Sequence, residues 1–135
     1  MTRILAVDLG IKRTGIAVSD ERHLTTRALP TRIPQSRLED IEHLFSLCRD
    51  LEVKIVLIGY PLLPQSREEG PMAKRARGFF ETMLRLNQQD LDILLVDETY
   101  TSLEAARRIG SRKPLDGESA RILIETYLHE KDYTP

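Results

Sequence analysis

The stretch Ile4-Leu-Ala-Val-Asp8-Leu-Gly10-Ile-Lys12-Arg13-Thr-Gly15-Ile-Ala-Val-Ser-Asp20 reads as strand, tight turn, strand. An apolar run from Ile4 to Val7 ends in a carboxylate, Gly10 and Gly15 bracket a loop, and a second apolar run from Ile16 to Val18 answers the first. A buried strand that ends in Asp puts a charge at a sheet rim, which is costly unless a metal ion, a phosphate-bound cation or a neighbouring Arg pairs with it. Glycines give such a loop the backbone freedom and close approach it needs beside a ligand. The plainer alternative is a hairpin whose Asp8 caps a turn, and this stretch taken alone fits both.

Outward from that hairpin, Leu24 to Ile33 reads as a third, antiparallel strand, with Thr25, Thr26 and Thr31 favouring extension and Pro30 and Pro34 marking an edge or an end. Ser36-Arg-Leu-Glu39 has the form of a capping box, and the helix it opens carries Leu38, Ile41, Leu44, Phe45, Cys48 and Leu51 on one stripe. Val53 to Ile58 is a nearly continuous apolar run, as expected of a strand buried on both faces, and it ends at Gly59-Tyr-Pro61. A helix follows from about Met72 to Gln88, its inner face formed by Ala73, Ala76, Phe80, Met83 and Leu84. Lys74, Arg75 and Arg77 crowd its first turns, against the macrodipole, so a bound phosphate there would relieve the conflict. Asp92 to Val96 is the next buried strand and runs into Asp97-Glu98. A short helix from Leu103 to Ile109, a basic loop from Gly110 to Gly117 and a last helix from about Glu118 to His129 complete the order. The prediction is an α/β fold, a mixed five-stranded sheet with helices on both faces, whose later strands are joined by right-handed crossovers.

A chain of 135 residues is expected to form one domain, residues 1–135, large enough to bury a core without staples. No apolar run approaches the ~20 residues that span a bilayer, and Met1-Thr-Arg-Ile4 does not resemble a signal peptide, so a cytoplasmic protein without membrane contact is expected. The one cysteine, Cys48, excludes an internal disulfide and a Cys-based zinc site, and its place on an apolar helix face marks it as core filler. A formal net charge of −1 excludes attachment to nucleic acid by bulk attraction. The cations are clustered instead, at Lys12 and Arg13, at Lys74, Arg75 and Arg77, and at Arg107, Arg108, Arg112 and Lys113, which permits a local phosphate-binding face. Each cluster on its own is better read as a solvated surface.

Asp8 closes the first strand, Asp97 and Glu98 close the last, and Asp116 stands just before the final helix, where it is also a favoured cap. In open α/β sheets ligands gather at the carboxyl ends of parallel strands, so these acids share one rim if the first strand lies beside the two later ones. Carboxylates in one cleft repel one another unless divalent cations or shared protons relieve them, and oxygen-only ligands point to Mg²⁺ or Mn²⁺. Two such ions can activate water and steady the leaving oxygen of a phosphodiester. Side chains alternate along a strand, so Asp97 and Glu98 point opposite ways; Glu98 is the preferred ligand and Asp97 the alternate.

These motifs resemble the YqgF/RuvX family. The resemblance is carried by Asp8 to Asp20, Gly59-Tyr-Pro61, Gly70-Pro71, Asp97-Glu98-Thr-Tyr-Thr101-Ser102, and Asp116-Gly-Glu-Ser-Ala120 before Ile122 to Leu128, in order over nearly the whole chain. It implies a ribonuclease H-like fold and a metal-dependent endonuclease that matures the 5′ end of pre-16S ribosomal RNA or cuts Holliday junctions. It also implies Asp8, Glu98 and Asp116 as catalytic acids, with Arg13, Thr101 and Ser102 binding phosphate or supporting the site. The chain departs from the family pattern in having Thr99 where Arg usually follows Asp-Glu, and in its loop Leu62 to Glu69.

Two other classes compete. An actin-like ATPase also opens on an Asp-x-Gly turn, but needs two such domains to enclose ATP. A non-catalytic RNA-binding or ribosome-assembly factor would keep the fold without the chemistry, and Thr99 suits it. The expected partner is structured RNA or branched DNA, and a two-fold symmetric four-way junction would call for a homodimer.

Overall fold

The computed structural model describes residues 2–98 and 117–133, with side chains described as far as residue 130. Strand β1 (Arg3–Asp8) lies at the centre of a five-stranded sheet of order β3-β2-β1-β4-β5, with β2 at Gly15–Ser19, β3 at Thr26–Ala28, β4 at Val53–Tyr60 and β5 at Asp92–Asp97. β1 pairs antiparallel with β2 and parallel with β4, and β4 pairs parallel with β5. The mixed sheet predicted from the sequence is therefore the one observed. The carboxyl ends of β1, β4 and β5 consequently share an edge.

The three helices in the described residues divide between the two faces. α1 (Arg37–Asp50) and α2 (Pro71–Leu86) cover one, and α3 (Glu118–Tyr133) covers the other. Alternation along the strands sorts the core accordingly. Leu5, Val7, Val56 and Ile58 pack toward α1 and α2 with Ile41, Leu44, Phe79 and Met83. Ile4, Ala6, Ala17 and Leu57 pack toward α3 with Ala120, Leu123 and Ile124. Leu57 is fully buried, so Leu57→Ala should destabilise the fold by about 2–5 kcal/mol, read as a lowered urea midpoint with an unchanged slope.

Local rules account for the helix ends. Ser36 Oγ accepts from the Glu39 amide at 3.1 Å and donates to Glu39 Oε1 at 3.0 Å, so the capping box closes through the two side chains. Pro71 opens α2 at a position where no amide is needed. Some expectations are corrected. The third strand spans Thr26–Ala28 rather than Leu24 to Ile33, and beyond it the backbone is held by a Thr14–Arg32 bridge and by Asp40, which accepts from Arg32 Nε and the Gln35 amide, both at 3.0 Å. Leu38 and Leu84, placed on inner stripes, are exposed; Phe79 is the buried aromatic of α2. Cys48 is buried, and burial pushes its thiol up to about 12, which leaves it an inert hydrophobe. The predicted helix Leu103 to Ile109 and the basic loop after it, as far as Asp116, lie outside the described residues. Among the described residues no helix is long and apolar enough to cross a membrane.

Candidate active site

Two carboxyl groups from distant segments meet at the carboxyl edge of the parallel strands. Asp8 is the last residue of β1 and follows Ile4 and Ala6 on the α3 side. Glu98 follows Val96 on the same side, one residue beyond β5, where its amide donates to the Tyr60 carbonyl at 3.1 Å and extends the ladder. Glu98 is 3% exposed and hydrogen bonded to Asp8. Burial, then the charge of Asp8, push the Glu98 carboxyl up to about 9. Burial also raises Asp8, against the lowering effect of hydrogen bonds from Glu98 and from the Ser119 hydroxyl. At neutral pH the Glu98 carboxyl therefore keeps its proton and donates it to Asp8. Among the described residues Glu98 Oε2, although buried, has no hydrogen-bond partner.

Alternation sends Asp97 to the other face, where it pairs with Arg67. Of the two adjacent acids, Glu98 is the one that turns to Asp8. Asp116, Thr101, Ser102, Arg107, Arg108, Arg112 and Lys113 lie outside the described residues, as does Thr99. The residue after Asp116 is described, however. Gly117 has φ +85° and its backbone lies close over Gly15; a Cβ built on Gly15 would stand 3.3 Å from Gly117 N and Cα and 3.9 Å from Asp8 Cβ. The start of α3 is thus brought against the end of β1, and Ser119, in its first turn, bonds to Asp8. Among the described residues no third carboxylate, imidazole or thiol completes a ligand cluster.

The cations sort differently. Lys12 and Arg13 stand exposed on the loop after Asp8. That loop is tightly wound, since a Cβ on Gly10 would fall 2.2 Å from Arg13 O, and it is tied to α2 by Arg75, whose Nη1 donates to Gly10 O at 2.7 Å. Arg77 contacts Glu69 at 2.6 and 2.9 Å, and Tyr60 OH donates to the same carboxylate at 2.6 Å. The anion that relieves the crowded start of α2 is accordingly Glu69 of the chain itself, which removes the need for a phosphate there. Lys74 is exposed in the first turn of α2.

Two residues at this site are not apparent from sequence pattern. Ser119 is visible there only as part of a motif, and its contact to Asp8 depends on how α3 docks. Gly59 is visible as the end of a strand; a Cβ there would stand 2.6 Å from Glu98 Oε2, so the Glu98 carboxyl lies directly over it.

The oxygen-only pair, its orphaned Oε2 and its surplus proton suit a hard divalent cation, which would replace the proton and satisfy the unpartnered oxygen. A mixed sheet of this order with acids at the ends of β1 and β5 defines a ribonuclease H-like fold. T. thermophilus RuvC in complex with a Holliday junction substrate shares that fold, with a TM-score of 0.64 at 10% identity over 99% of this chain and 98% of that one. The chain belongs to the RuvX family, described as Holliday junction resolvase, which matches residues 2–130. Among its relatives, proteins called "Putative pre-16S rRNA nuclease" from Anaeromyxobacter sp. (strain K) and Sulfurihydrogenibium sp. (strain YO3AOP1) are 34% and 30% identical, covering 96% and 99% of this chain and 98% and 94% of theirs.

Proposed function

We propose that this chain is a single-domain, metal-dependent endonuclease that hydrolyses phosphodiester bonds in structured nucleic acid, its substrate being the 5′ extension of pre-16S rRNA. The observation that carries the proposal is the proton-sharing pair of half-buried Asp8 and buried Glu98 at the carboxyl edge of three parallel strands. Asp8 and Glu98, with Asp116 from the segment that enters α3, would hold Mg²⁺ or Mn²⁺. When bound, the cation supplies Lewis-acid stabilisation of charge on the phosphate and makes water nucleophilic at neutral pH. The chain's own groups do the rest. Glu98 would release its proton to solvent on joining such a ligand set, and Ser119 keeps Asp8 oriented. Lys12 and Arg13 draw a phosphate toward the acids from the loop beside them, and Lys74 extends the cationic rim along α2. Arg75 and Arg77 hold the loops on either side of that rim. Thr101 and Ser102 support the phosphate, and Arg107, Arg108, Arg112 and Lys113 bind the flanking backbone.

A second reading, cleavage of four-way DNA by a homodimer, is favoured by the description of the matching family and by the fold shared with RuvC. Incubating the protein with a 16S rRNA precursor and with a four-way DNA junction, each with and without Mn²⁺, separates the readings. The proposal expects Mn²⁺-dependent cutting of the RNA; cutting of the junction alone would favour the second reading. Tight binding without cleavage of either substrate would make the protein an assembly factor. Replacing Arg107, Arg108, Arg112 and Lys113 by Gln should flatten the dependence of log affinity on log salt by about 0.7–0.9 for each phosphate no longer neutralised. An unchanged slope would assign these residues to a solvated surface.

A further inference from the structure

We infer that Gly59 is a positioning residue, a gap in the side-chain layer of β4 through which Glu98 reaches Asp8. The inference rests on reading Asp8 and Glu98 as the acids of the site.

β4 runs between β1 and β5, so any side chain on its α3 face stands between theirs. Leu57 fills that layer one step earlier. At the next step the register places Val7 opposite Ile58, which sets Asp8 beside Gly59, and places Gly59 opposite Val96. Glu98 lies two residues past Val96 and must lean back across β4 to bond Asp8. A Cβ on residue 59 would stand 2.6 Å from Glu98 Oε2 and 2.8 Å from Cδ, closer than such atoms approach, and a tight 3.1 Å from Oε1.

The backbone does not itself require glycine here. Among the described residues Gly117 is the glycine with positive φ, and Gly59 pairs as an ordinary strand residue. Glycine inside a strand weakens it and marks a close approach, and here the approaching group is the Glu98 carboxyl. Because the clash falls on the far end of a flexible side chain, an alanine is accommodated by swinging Glu98 out of the site while the sheet stays intact. A single methyl group then breaks the pair without touching either acid's own chemistry. The same geometry explains how a carboxyl from β5 and one from β1 meet although a whole strand separates them.

The test is a double-mutant cycle of wild type, Gly59→Ala, Glu98→Ala and the combination, with Mn²⁺ alone as the ligand in titration calorimetry and the metal-free thermal melt as a second readout. Gly59→Ala should melt cooperatively and bind Mn²⁺ about 10–100-fold more weakly, the range seen when a metal ligand loses its support. In the Glu98→Ala background the same change should alter Mn²⁺ affinity by less than about two-fold, because the group it displaces is gone. Its effect on the metal-free melt should likewise be more favourable there than in the wild-type background. Wild-type Mn²⁺ affinity in Gly59→Ala, or an equal weakening in both backgrounds, would overturn the inference. Should Gly59→Ala fail to fold, restoration of folding by Glu98→Ala would support it, and a double variant that is equally unfolded would refute it. Unchanged Mn²⁺ affinity in Glu98→Ala alone would instead remove the acid-pair reading, while the metal-free coupling still reports the steric clash.

Discussion

Asp8→Asn is expected to lower Mn²⁺-dependent cleavage at least about 100-fold, since removing a metal ligand costs no less than removing its support, while the metal-free protein melts at or above the wild-type temperature. The two halves of the result have one cause. Asp8 is held mostly out of water beside Glu98, and burial raises its pKa, so its charge is an expense to the fold. Asparagine keeps the shape and can still accept from Ser119, but it removes the charge that would hold a cation. The Glu98 carboxyl should fall back from about 9 while staying above its ordinary 4.5, because its largest cause of elevation is burial and Asp8 comes second. A variant that loses activity together with its cooperative melt would make Asp8 a structural residue.

The second large effect is in the dependence of metal-free stability on pH. The folded-state value of Glu98, about 9, lies above the ordinary 4.5, so between those values the folded chain holds a proton that the unfolded chain has released. The stability contributed by the protonated pair is complete below the unfolded value and is lost as pH rises through the folded one. Asp8, also raised, adds in the same direction. The melting temperature without metal should therefore fall as pH is raised from about 5 to 9, and the increase produced by Mn²⁺ should grow over the same range, since the cation competes with the proton. Glu98→Gln should flatten both dependences. A metal-free melting temperature that rises across that interval would contradict the assignment of the proton to this pair.

How far the sequence carries these conclusions differs between fold and site. The strands are legible because Ile4 to Val7 and Val56 to Ile58 are apolar runs buried on both faces, and the facing of each side chain then follows from alternation. The same alternation separates Glu98 from Asp97 without saying which of them meets Asp8; the structure shows Glu98 sharing a face with Val96 whereas Asp97 turns to Arg67. Helix stripes are less exact. Leu38 and Leu84 have the right spacing, yet both are exposed, because a stripe one residue wider than the sheet contact cannot be told from the contact itself. The short third strand reflects Pro30 and a chain that turns to reach the Thr14–Arg32 bridge. At the rim, the arginines of α2 look alike in sequence, but Arg77 answers Glu69 and Arg75 answers the Gly10 carbonyl. Such partners lie across loops whose path no local pattern encodes. Gly59 and Ser119 belong to the same class, because their roles exist only once β4 lies between two acids and α3 docks on β1.

The central claim, that Asp8 and Glu98 together take up a divalent cation, is tested most directly by titrating Mn²⁺ into wild type, Asp8→Asn and Glu98→Gln at fixed pH in two buffers of different protonation enthalpy. Binding by the wild type accompanied by proton release, with affinity and proton release both strongly reduced in either variant, is the predicted result. Equal Mn²⁺ affinity in all three proteins, with no proton released, would contradict it.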